Sequence, residues 1–422
     1  MDFKPTTDRT GGVFRALKSR NYRLFFAGQG ISLVGTFLQQ VALSWYVYRI
    51  TGSKMLLGTL AFTSQIPSLA CAPFAGALAD RWDRKKSLVV IQSLAGLQAL
   101  VLAILVTTHH APVWSLVLLS GVLGSLNAFD IPFRQSFVSQ MIDDRSMLTN
   151  AIALNSALFN GARLVGPSVG GLLVATVGEG ACFFLNAASY LAVVFALVAI
   201  RPLPIQIAPR RNLRTEILEG VRYVAGHRPI RDLLFLVSAV GLLGLAYLVL
   251  LPVVARDELH GDAKTLGFLM ASGGAGAMLA ALTLAARKSV RGLMSRIAVA
   301  ALLSGTSMLA LSQATHLGLC MLFIAISGFG FVTCAGGANA VIQTLVDDRF
   351  RGRVMSLYTL AFLGTSTFGS LAAGWLADIE GVPYSMTVFG ALFGVCAVVF
   401  AVRLPGLRRQ VRERYAALGD IP

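Results

Sequence analysis

Charged residues are scarce in this sequence. Asp, Glu, Lys and Arg together make up only 13% of its 422 residues, whereas a soluble domain carries about 25%. A surface that faces lipid requires such a shortage, because exposed charge is costly in hydrocarbon. With 55% hydrophobic residues, the composition excludes an ordinary water-exposed surface and indicates a membrane protein.

Acidic residues are scarcer than basic ones. The sequence has 20 Asp and Glu against 36 Lys and Arg, which gives a formal net charge of +16. In a soluble protein this excess would indicate a nucleic-acid partner. Here the basic residues stand at the ends of apolar runs, so we interpret them as flanking charge that meets lipid headgroups. The sequence therefore predicts a lipid bilayer as partner and no nucleic acid.

Motifs for metal, nucleotide or catalytic chemistry are also missing. The cysteines lie inside apolar stretches without Cys-x-x-Cys or Cys/His spacing, which predicts small buried side chains and neither metal nor disulfide. The sequence has no Gly-x-x-x-x-Gly-Lys-Ser/Thr loop, which disfavours ATP drive, and no catalytic dyad inside the apolar runs. We therefore expect no enzyme and no cofactor. No cleavable signal peptide is visible, because the first 20 residues are polar and basic.

Long apolar runs are abundant, and a helix needs about 20 such residues to cross the hydrocarbon core. Single charge-free windows cover residues 24–48, 55–79, 181–200, 233–255, 265–286, 354–377 and 381–402. Double-length windows at 87–129 and 297–346 break at residues 109–112 and 315–316, and Arg163 interrupts one further span over 146–178. The sequence thus predicts an all-α membrane protein with twelve transmembrane helices.

The distribution of Lys and Arg sets the expected orientation, because cytoplasmic loops carry the excess of basic residues. With the amino terminus in the cytoplasm, the outer segments hold only Arg49, Lys54, Arg256 and Lys264, and Arg163 lies within a span. We expect a multi-pass protein of the bacterial cytoplasmic (inner) membrane with both termini in the cytoplasm.

The chain also repeats itself. The segment 140–145, Gln-Met-Ile-Asp-Asp-Arg, recurs as Thr-Leu-Val-Asp-Asp-Arg at 344–349, and Gly170 falls on Gly374 at the same offset. This predicts two pseudo-symmetric six-helix bundles, the parallel repeat of one transporter class. The expected units are a cytoplasmic segment 1–20, bundles 21–200 and 231–404, a cytoplasmic linker 201–230 and a tail 405–422. Within the linker, residues 216–225 can form a surface helix.

The loop after the second span reads Gly76-Ala-Leu-Ala-Asp-Arg-Trp-Asp-Arg-Lys-Lys86. It resembles the signature Gly-x-Leu-x-Asp-Arg-x-Gly-Arg-Lys/Arg of the major facilitator superfamily, with Asp83 in place of the usual glycine. In that family the cluster latches the two halves in the outward-facing state. The resemblance implies a gating motif formed by Gly76, Asp80, Arg81, Arg84 and Lys85. The alternative is a basic loop that only sets topology.

The fifth span contains Gly161-Ala-Arg-Leu-Val-Gly-Pro-Ser-Val-Gly-Gly171. This resembles the Gly-x-x-x-Gly-Pro-x-x-Gly-Gly pattern that exporters of the superfamily carry in their fifth helix, with Ala162 where the first glycine is usual. The implied exporter-type motif consists of Gly161, Gly166, Pro167, Gly170 and Gly171. The alternative is a generic packing face of small residues.

Two charges lie inside the predicted spans. Asp130, low in the fourth span, is the only acid well inside any span, and Arg163 lies within the fifth. Such charges are rare and usually face a cavity or a partner. Asp130 can carry a coupling proton, pair with Arg163, or pair with Arg134 one helical turn on, and the sequence leaves these readings open.

Uncharged polar residues on the helices expected to line a central cavity are candidates for contacts with the substrate. They are Gln39, Gln40, Asn127, Asn339 and Gln343. The two glutamines of the first span stand where drug/proton antiporters of the superfamily often carry an acid. The first span therefore offers no coupling acid.

Over residues 15–405 the chain resembles a bacterial subgroup of the superfamily, the enterobactin-exporter-like and macrolide-efflux-like proteins. Residues 78–86, 163–173 and 351–357 carry the resemblance. It implies the major facilitator fold and a monomeric, proton-coupled secondary transporter that exports small amphipathic molecules, drugs or siderophore-like metabolites, by alternating access. The alternatives are an importer or facilitator of a small solute and, as a minor one, a non-transport signalling protein.

Overall fold

The computed structural model describes residues 14–79, 82–201, 213–287 and 289–417, and within these ranges every regular element is a helix. The first half comprises α1 (Arg20–Thr51), α2 (Lys54–Ala79), α3 (Arg84–Thr107), α4 (Val113–Val138), α5 (Leu148–Val177) and α6 (Glu179–Ala199). The second half comprises α8 (Arg228–Glu258), α9 (Ala263–Ala285), α10 (Leu293–Leu311), α11 (Leu317–Leu345), α12 (Arg351–Glu380) and α13 (Val382–Ala417). A shorter helix, α7 (Leu213–Gly226), joins them. The all-α prediction is confirmed.

Ten of the described helices, α3 to α6 and α8 to α13, are long and apolar enough to cross a membrane. The first two, α1 and α2, have 32 and 26 residues, which is also enough for a span, and they coincide with the windows 24–48 and 55–79. Length and apolar composition thus support ten of the twelve expected spans, and the other two rest on length and position. Both expected hairpin breaks are confirmed, because α3 ends at Thr107 and α10 ends at Leu311.

Two helices of the second half are interrupted by irregular turns. In α8 the backbone is π-helical over 240–244, 3-10 helical over 246–250 and again π-helical over 254–258. In α12 a π-helical turn covers 360–364. Pro252, inside α8, removes a backbone donor. In this turn of α12, the hydroxyl Thr365 Oγ1 donates a hydrogen bond to the backbone carbonyl Ala361 O at 2.6 Å.

The start of α1, the start of α3 and the Arg201 end of α6 lie at one end of the bundle, which we call the basic end. Here Asn21 Nδ2 donates to Arg201 O at 2.8 Å and Lys85 Nζ donates to Ile200 O at 2.7 Å. Ser19 Oγ reaches Met141 O at 2.7 Å. Since the long helices alternate in direction, Thr51 lies at the opposite end, the far end.

The two copies of the Asp-Asp-Arg repeat occupy equivalent loops at the basic end, and each holds the segment that precedes its own half. In the first, Asp144 accepts from Ser146 N at 2.8 Å and lies 3.5 Å from Arg15. The hydrogen bonds from Ser146, and secondarily Arg15, hold the pKa of Asp144 below its usual range. In the second, Tyr223 of α7 donates to Asp347 at 3.1 Å.

Large apolar side chains remain exposed on the outer faces of the helices. Phe195 of α6 is 70% exposed and Val402 of α13 is 74% exposed. In water such faces would be an aggregation liability, whereas in a bilayer they meet acyl chains. Small and polar residues occupy the inner faces, both within each half and where the two halves meet.

Candidate functional site between the two halves

Two helix crossings hold the halves together, and each places glycine on glycine. Where α5 meets α9, a Cβ added at Gly171 would lie 2.8 Å from Gly267 Cα. Where α2 meets α12, a Cβ added at Gly374 would lie 3.0 Å from Gly58 Cα and 2.7 Å from Lys54 O. Side chains at these positions would push backbone against backbone, so only glycine allows so close an approach. The crossings are pseudo-symmetric, because α2 corresponds to α9 and α5 to α12.

The residues of the exporter-type motif lie on two faces of α5. Gly166 packs against Phe37 of α1, and a Cβ added at Gly170 would lie 3.2 Å from Leu38 Cα, both within the first half. On the other face of α5, the carbonyl of Pro167 and the backbone of Gly171 both pack against Gly267 of α9. Gly161 is more loosely packed, because a Cβ added there would lie 4.0 Å from the methyl group of Met278 on α9. One helix thus packs on its own half and on the other.

Polar contacts between the halves cluster at the far end. Tyr48 at the end of α1 donates its hydroxyl to Asp257 of α8, and Arg256 donates to Tyr48 O at 3.4 Å and Arg49 O at 3.3 Å. Asp378 of α12 accepts from Lys54 N at 3.1 Å and so caps the amino terminus of α2, where a carboxylate is favoured by the helix dipole. These contacts close the far end.

The closure reaches to the middle of the bundle. Phe62 of α2 and Phe368 of α12 meet edge to face, 5.8 Å between centroids. One turn nearer the basic end, Ser366 Oγ donates to Gln65 Oε1 at 3.1 Å. In the described part of the chain this is the hydrogen bond between α1–α6 and α8–α13 that lies nearest the basic end. The structure therefore holds a state that is closed at the far end.

The buried acid Asp130 has its partners within its own half. Arg134 Nε lies 3.2 Å from Asp130 Oδ2, and Gln92 Nε2 of α3 donates to Asp130 Oδ1 at 2.7 Å. Of the pairings that the sequence left open, the structure has the local one with Arg134 and not the one with Arg163. The pair at i, i+4 is the arrangement that one helical face offers.

Arg163 instead lies midway along α5, at the interface. Its carbonyl is 2.7 Å from where a Cβ on Gly274 of α9 would stand. The neighbouring Gly273 of α9 faces the hydroxyl of Tyr247 on α8, which would lie 3.8 Å from a Cβ added there. Within the described ranges, no carboxylate forms a salt bridge with Arg163.

The five expected cavity residues fall into three places. Gln39 is buried inside the first half, where it accepts from Asn186 Nδ2 at 2.7 Å and faces Gln98 at 3.4 Å. It therefore braces α1 against α6 and α3 and does not line the space between the halves, a correction to its expected position. Gln40 and Asn127 are exposed. Gln343, also exposed, donates to Asn339 Oδ1 at 2.6 Å on α11.

The expected gating motif is only partly visible. Asp80 and Arg81 lie outside the described residues, as do the surroundings of Gly76. Arg84 Nε donates to Ala79 O at 3.0 Å and Lys85 Nζ to Val198 O at 2.9 Å, so both bind carbonyls at helix C-termini of their own half, where cations are favoured. Asp83, which departs from the family signature, caps α3 by accepting from Lys86 N at 3.0 Å.

Several interface residues were missed by sequence reasoning, among them Tyr247, Gln65 and Asp378. The irregular α8 carried a local signal, Gly241 and Pro252 within one apolar run, because glycine and proline weaken a helix interior. The others carried none, since their partners are about 300 residues away. The described residues contain no cluster of three or more His, Cys, Asp or Glu that could hold a metal ion.

The sequence matches one family model and several transporters along most of its length. The model of the family MFS_3, Transmembrane secretion effector, matches residues 12–417. The Staphyloferrin A transporter of Staphylococcus aureus is 24% identical over 87% of this chain and 92% of its own length. The Multidrug efflux pump Tap of Mycolicibacterium fortuitum is 27% identical over 90% and 93%, and Macrolide efflux protein A of Streptococcus pyogenes is 23% identical over 90% and 96%.

Solved structures share the fold at low sequence identity. A bacterial homologue of the lysosomal transporter Spinster, inward-facing and occupied, has a TM-score of 0.73 at 14% identity over 93% of this chain and 98% of its own. A bacterial homologue of the iron transporter ferroportin, inward-facing, has a TM-score of 0.70 at 17% identity over 90% and 98%. The major facilitator fold expected from the sequence is confirmed, and the chain is a membrane transporter rather than an enzyme. With the family model covering nearly its whole length, the chain belongs to the transmembrane secretion effectors of the major facilitator superfamily.

Proposed function

We propose that this protein is a proton-coupled secondary transporter that exports small amphipathic molecules, drug or siderophore-like, by alternating access. Its relatives include transporters whose names specify a siderophore, several drugs and macrolides. They differ in cargo but share the chain length, which favours a common mechanism over a common substrate.

The closure of the interface at the far end is the observation that carries this proposal. Glycine crossings and a few hydrogen bonds close the far end, and no covalent link joins the halves there. Such contacts can separate and re-form when one bundle rocks against the other, as parallel-repeat transporters do. The closing energy is modest, since each net hydrogen bond contributes about 0.5–1.5 kcal/mol.

The direction of transport depends on which side of the membrane the basic end faces. The positive-inside rule places it in the cytoplasm, with both termini there and the far end outside. The closed far end then corresponds to a protein ready to load cargo from the cytoplasm. An epitope tag at the carboxy terminus should be reached by antibody only after the cells are permeabilised.

Proton coupling needs a titratable group that changes its surroundings during the cycle. Asp130 is the candidate, because it is buried at 6% exposure and held by Arg134. Coupling through Asp130 would require loading or rocking to break this ion pair, so that the carboxylate exchanges its arginine partner during the cycle. The substrate site would occupy the space lined by Gln40, Asn127, Asn339 and Gln343.

Vesicles of defined orientation test the export proposal. Inverted vesicles carrying the protein should accumulate a labelled macrolide or dye when their interior is made acidic, and a protonophore should abolish the accumulation. Vesicles without the protein are the control. Accumulation confined to right-side-out vesicles would establish an importer, and gradient-independent equilibration in both would establish a facilitator.

A further inference from the structure

Arg163 is a cation at the middle of the membrane-spanning bundle, and among the residues that the structure describes it forms no salt bridge with an acid. With about 100° between successive helical residues, it lies on the face of α5 opposite the exposed Val165 and Leu172. The only acid well inside a span, Asp130, already accepts from Arg134 and Gln92. An unpaired charge at this depth is costly and by default marks a functional site.

Tyr247 of the other half lies beside the same stretch of α9 as Arg163, because its hydroxyl adjoins Gly273 and the Arg163 backbone adjoins Gly274. Tyr247 is 3% exposed and stands in the 3-10 helical part of α8, 6.3 Å from the ring of Phe331. Its hydroxyl points toward α9, 3.8 Å from where a Cβ on Gly273 would lie. In the described part of the chain, neither the guanidinium nor this hydroxyl makes a hydrogen bond to another protein group. Irregular helix turns at mid-membrane depth are typical of substrate sites in transporters.

The two side chains offer one kind of chemistry. A guanidinium presents N–H donors in a rigid fork that fits the two oxygens of a carboxylate, and a tyrosine hydroxyl adds a further donor. We propose that Arg163 and Tyr247 together bind a carboxylate group of the transported molecule. This inference rests on the proposed transport function and identifies molecules that carry a carboxylate as one class of its cargo.

The placement also gives the bound carboxylate a mechanical consequence. Arg163 belongs to the first half and Tyr247 to the second, so one ligand contacts both. The contact lies beside the α5–α9 crossing, where the Arg163 carbonyl meets Gly274. A carboxylate that bridges the two side chains favours one relative position of the halves, and differential binding of this kind is what shifts a two-state equilibrium.

Binding to the purified full-length protein tests this directly. The probes are salicylate and citrate, with salicylamide as the neutral counterpart of salicylate, each titrated at pH 7 while dissociation constants and melting temperature are measured. Wild type should bind the two acids at least about tenfold more tightly than salicylamide, the range expected for a hydrogen-bonded charge. R163Q should lose that preference and bind salicylamide unchanged. Y247F should weaken acid binding by about fivefold, in line with one lost neutral donor.

Two further variants guard the interpretation. K264Q removes an exposed cation at the far end and should bind both acids as wild type does. R163K keeps the charge without the fork, so it should retain part of the preference even if R163Q does not fold. Acid binding by R163Q or R163K equal to wild type, or a wild type that prefers neither acid over salicylamide, would overturn the site. Vesicle transport separates the two proposals. If acids bind through Arg163 but the vesicles show no gradient-driven accumulation, the export proposal is refuted and the carboxylate site stands. If R163Q still exports a neutral dye but no longer prefers acids, both proposals stand.

Discussion

The two halves share a helix order but differ in where they place charge and irregular backbone. In the first half, α1 and α5 run as continuous α-helices, whereas their counterparts α8 and α12 contain π-helical or 3-10 turns. The first half carries Asp130 and Arg163 within its spans. At the offset of the repeat, 204 residues on, the second half has Cys334 and Thr367, both neutral and buried.

This difference suggests that the halves divide the work of transport. Regular helices hold charges at fixed depth, as Asp130 is held by Arg134 at 3.2 Å. Irregular turns in the second half leave backbone that can change its hydrogen bonding at small cost, and π turns frequently mark functional positions. At the middle of the bundle the interface then brings Arg163 of a regular helix close to the uncharged Tyr247 of an irregular one. Each prediction below tests whether this division holds.

Asp130→Asn should have the largest effect, because it removes a charge that only the first half has. We expect accumulation against a gradient to fall by about tenfold or more, while binding of cargo and exchange without a gradient remain, since a coupling acid is needed for drive alone. The measurement is uptake into inverted vesicles with and without an imposed pH gradient. The size reflects the cost of leaving Arg134 without its partner, about 1.5–3 kcal/mol for a charged hydrogen bond.

The matched control is Asp232→Asn in the second half. Asp232 is also buried, at 5% exposure, and lies 3.6 Å from Arg403, but it stands near the basic end and away from the interface. We expect this variant to lose some stability and to keep gradient-driven accumulation. If Asp130→Asn accumulates substrate as wild type does, Asp130 is not the coupling acid, and the charge asymmetry between the halves has another purpose.

Gly267→Ala should weaken transport by about tenfold through a feature that the halves share. The new Cβ would lie 2.7 Å from Pro167 O and 3.0 Å from Gly171 Cα, and backbone atoms cannot yield, so α5 and α9 must move apart. Overpacking of this kind costs about 1–3 kcal/mol, and it falls only on the state that is closed at the far end. Cysteine labelling from outside should accordingly reach the far end of α9 faster than in wild type.

Gly58→Ala tests whether the second crossing is equivalent. Its Cβ would lie 2.8 Å from Ser370 O, so the expected loss is similar. Gly394→Ala in α13 is the control, because its Cβ would meet nothing within 4 Å and alanine favours the helix. A normal rate for both crossing variants would show that the glycines do not limit closure. A loss in only one would show that the crossings differ in function despite their symmetry.

Sequence reasoning reached the parts of this molecule that local pattern determines. The spans follow from runs of apolar residues, and the turns at residues 109–112 and 315–316 interrupt those runs visibly. The Asp130–Arg134 pair is a local i, i+4 contact and was among the expected alternatives. Gln39 was placed wrongly, because one helix offers polar residues to both its own half and the interface, and the sequence does not say which.

Contacts across the interface could not be inferred in this way. The pairing of Gly58 with Gly374, or of Arg163 with Tyr247, depends on how two helices from different halves cross. No local periodicity specifies that crossing. The offset of the repeat shows which helices correspond but not which residues touch. It relates Gly170 to Gly374, whereas the α5 residue that meets a glycine of the other half is the next one, Gly171. Moving by one residue along an α-helix turns the contact about 100° around the helix axis.

Asp80→Asn should have the smallest effect of these variants, about a fivefold loss of transport rate with expression largely intact. The loop that carries Asp80 matches the family signature, whereas the corresponding segment of the second half, residues 280–288, contains no acid. A latch formed there would stabilise the outward-facing state through an acid near a helix start, an interaction of about 0.3–1 kcal/mol that reaches about 2 kcal/mol when partly buried.

Asp83→Asn is the control, because asparagine caps a helix as well as aspartate does and Lys86 N keeps its acceptor. Initial rates in vesicles at matched protein levels decide the matter. Wild-type rates in Asp80→Asn would remove the latch, and the charge of this loop would then serve topology alone; equal losses in both variants would point to loop structure rather than to a specific acid.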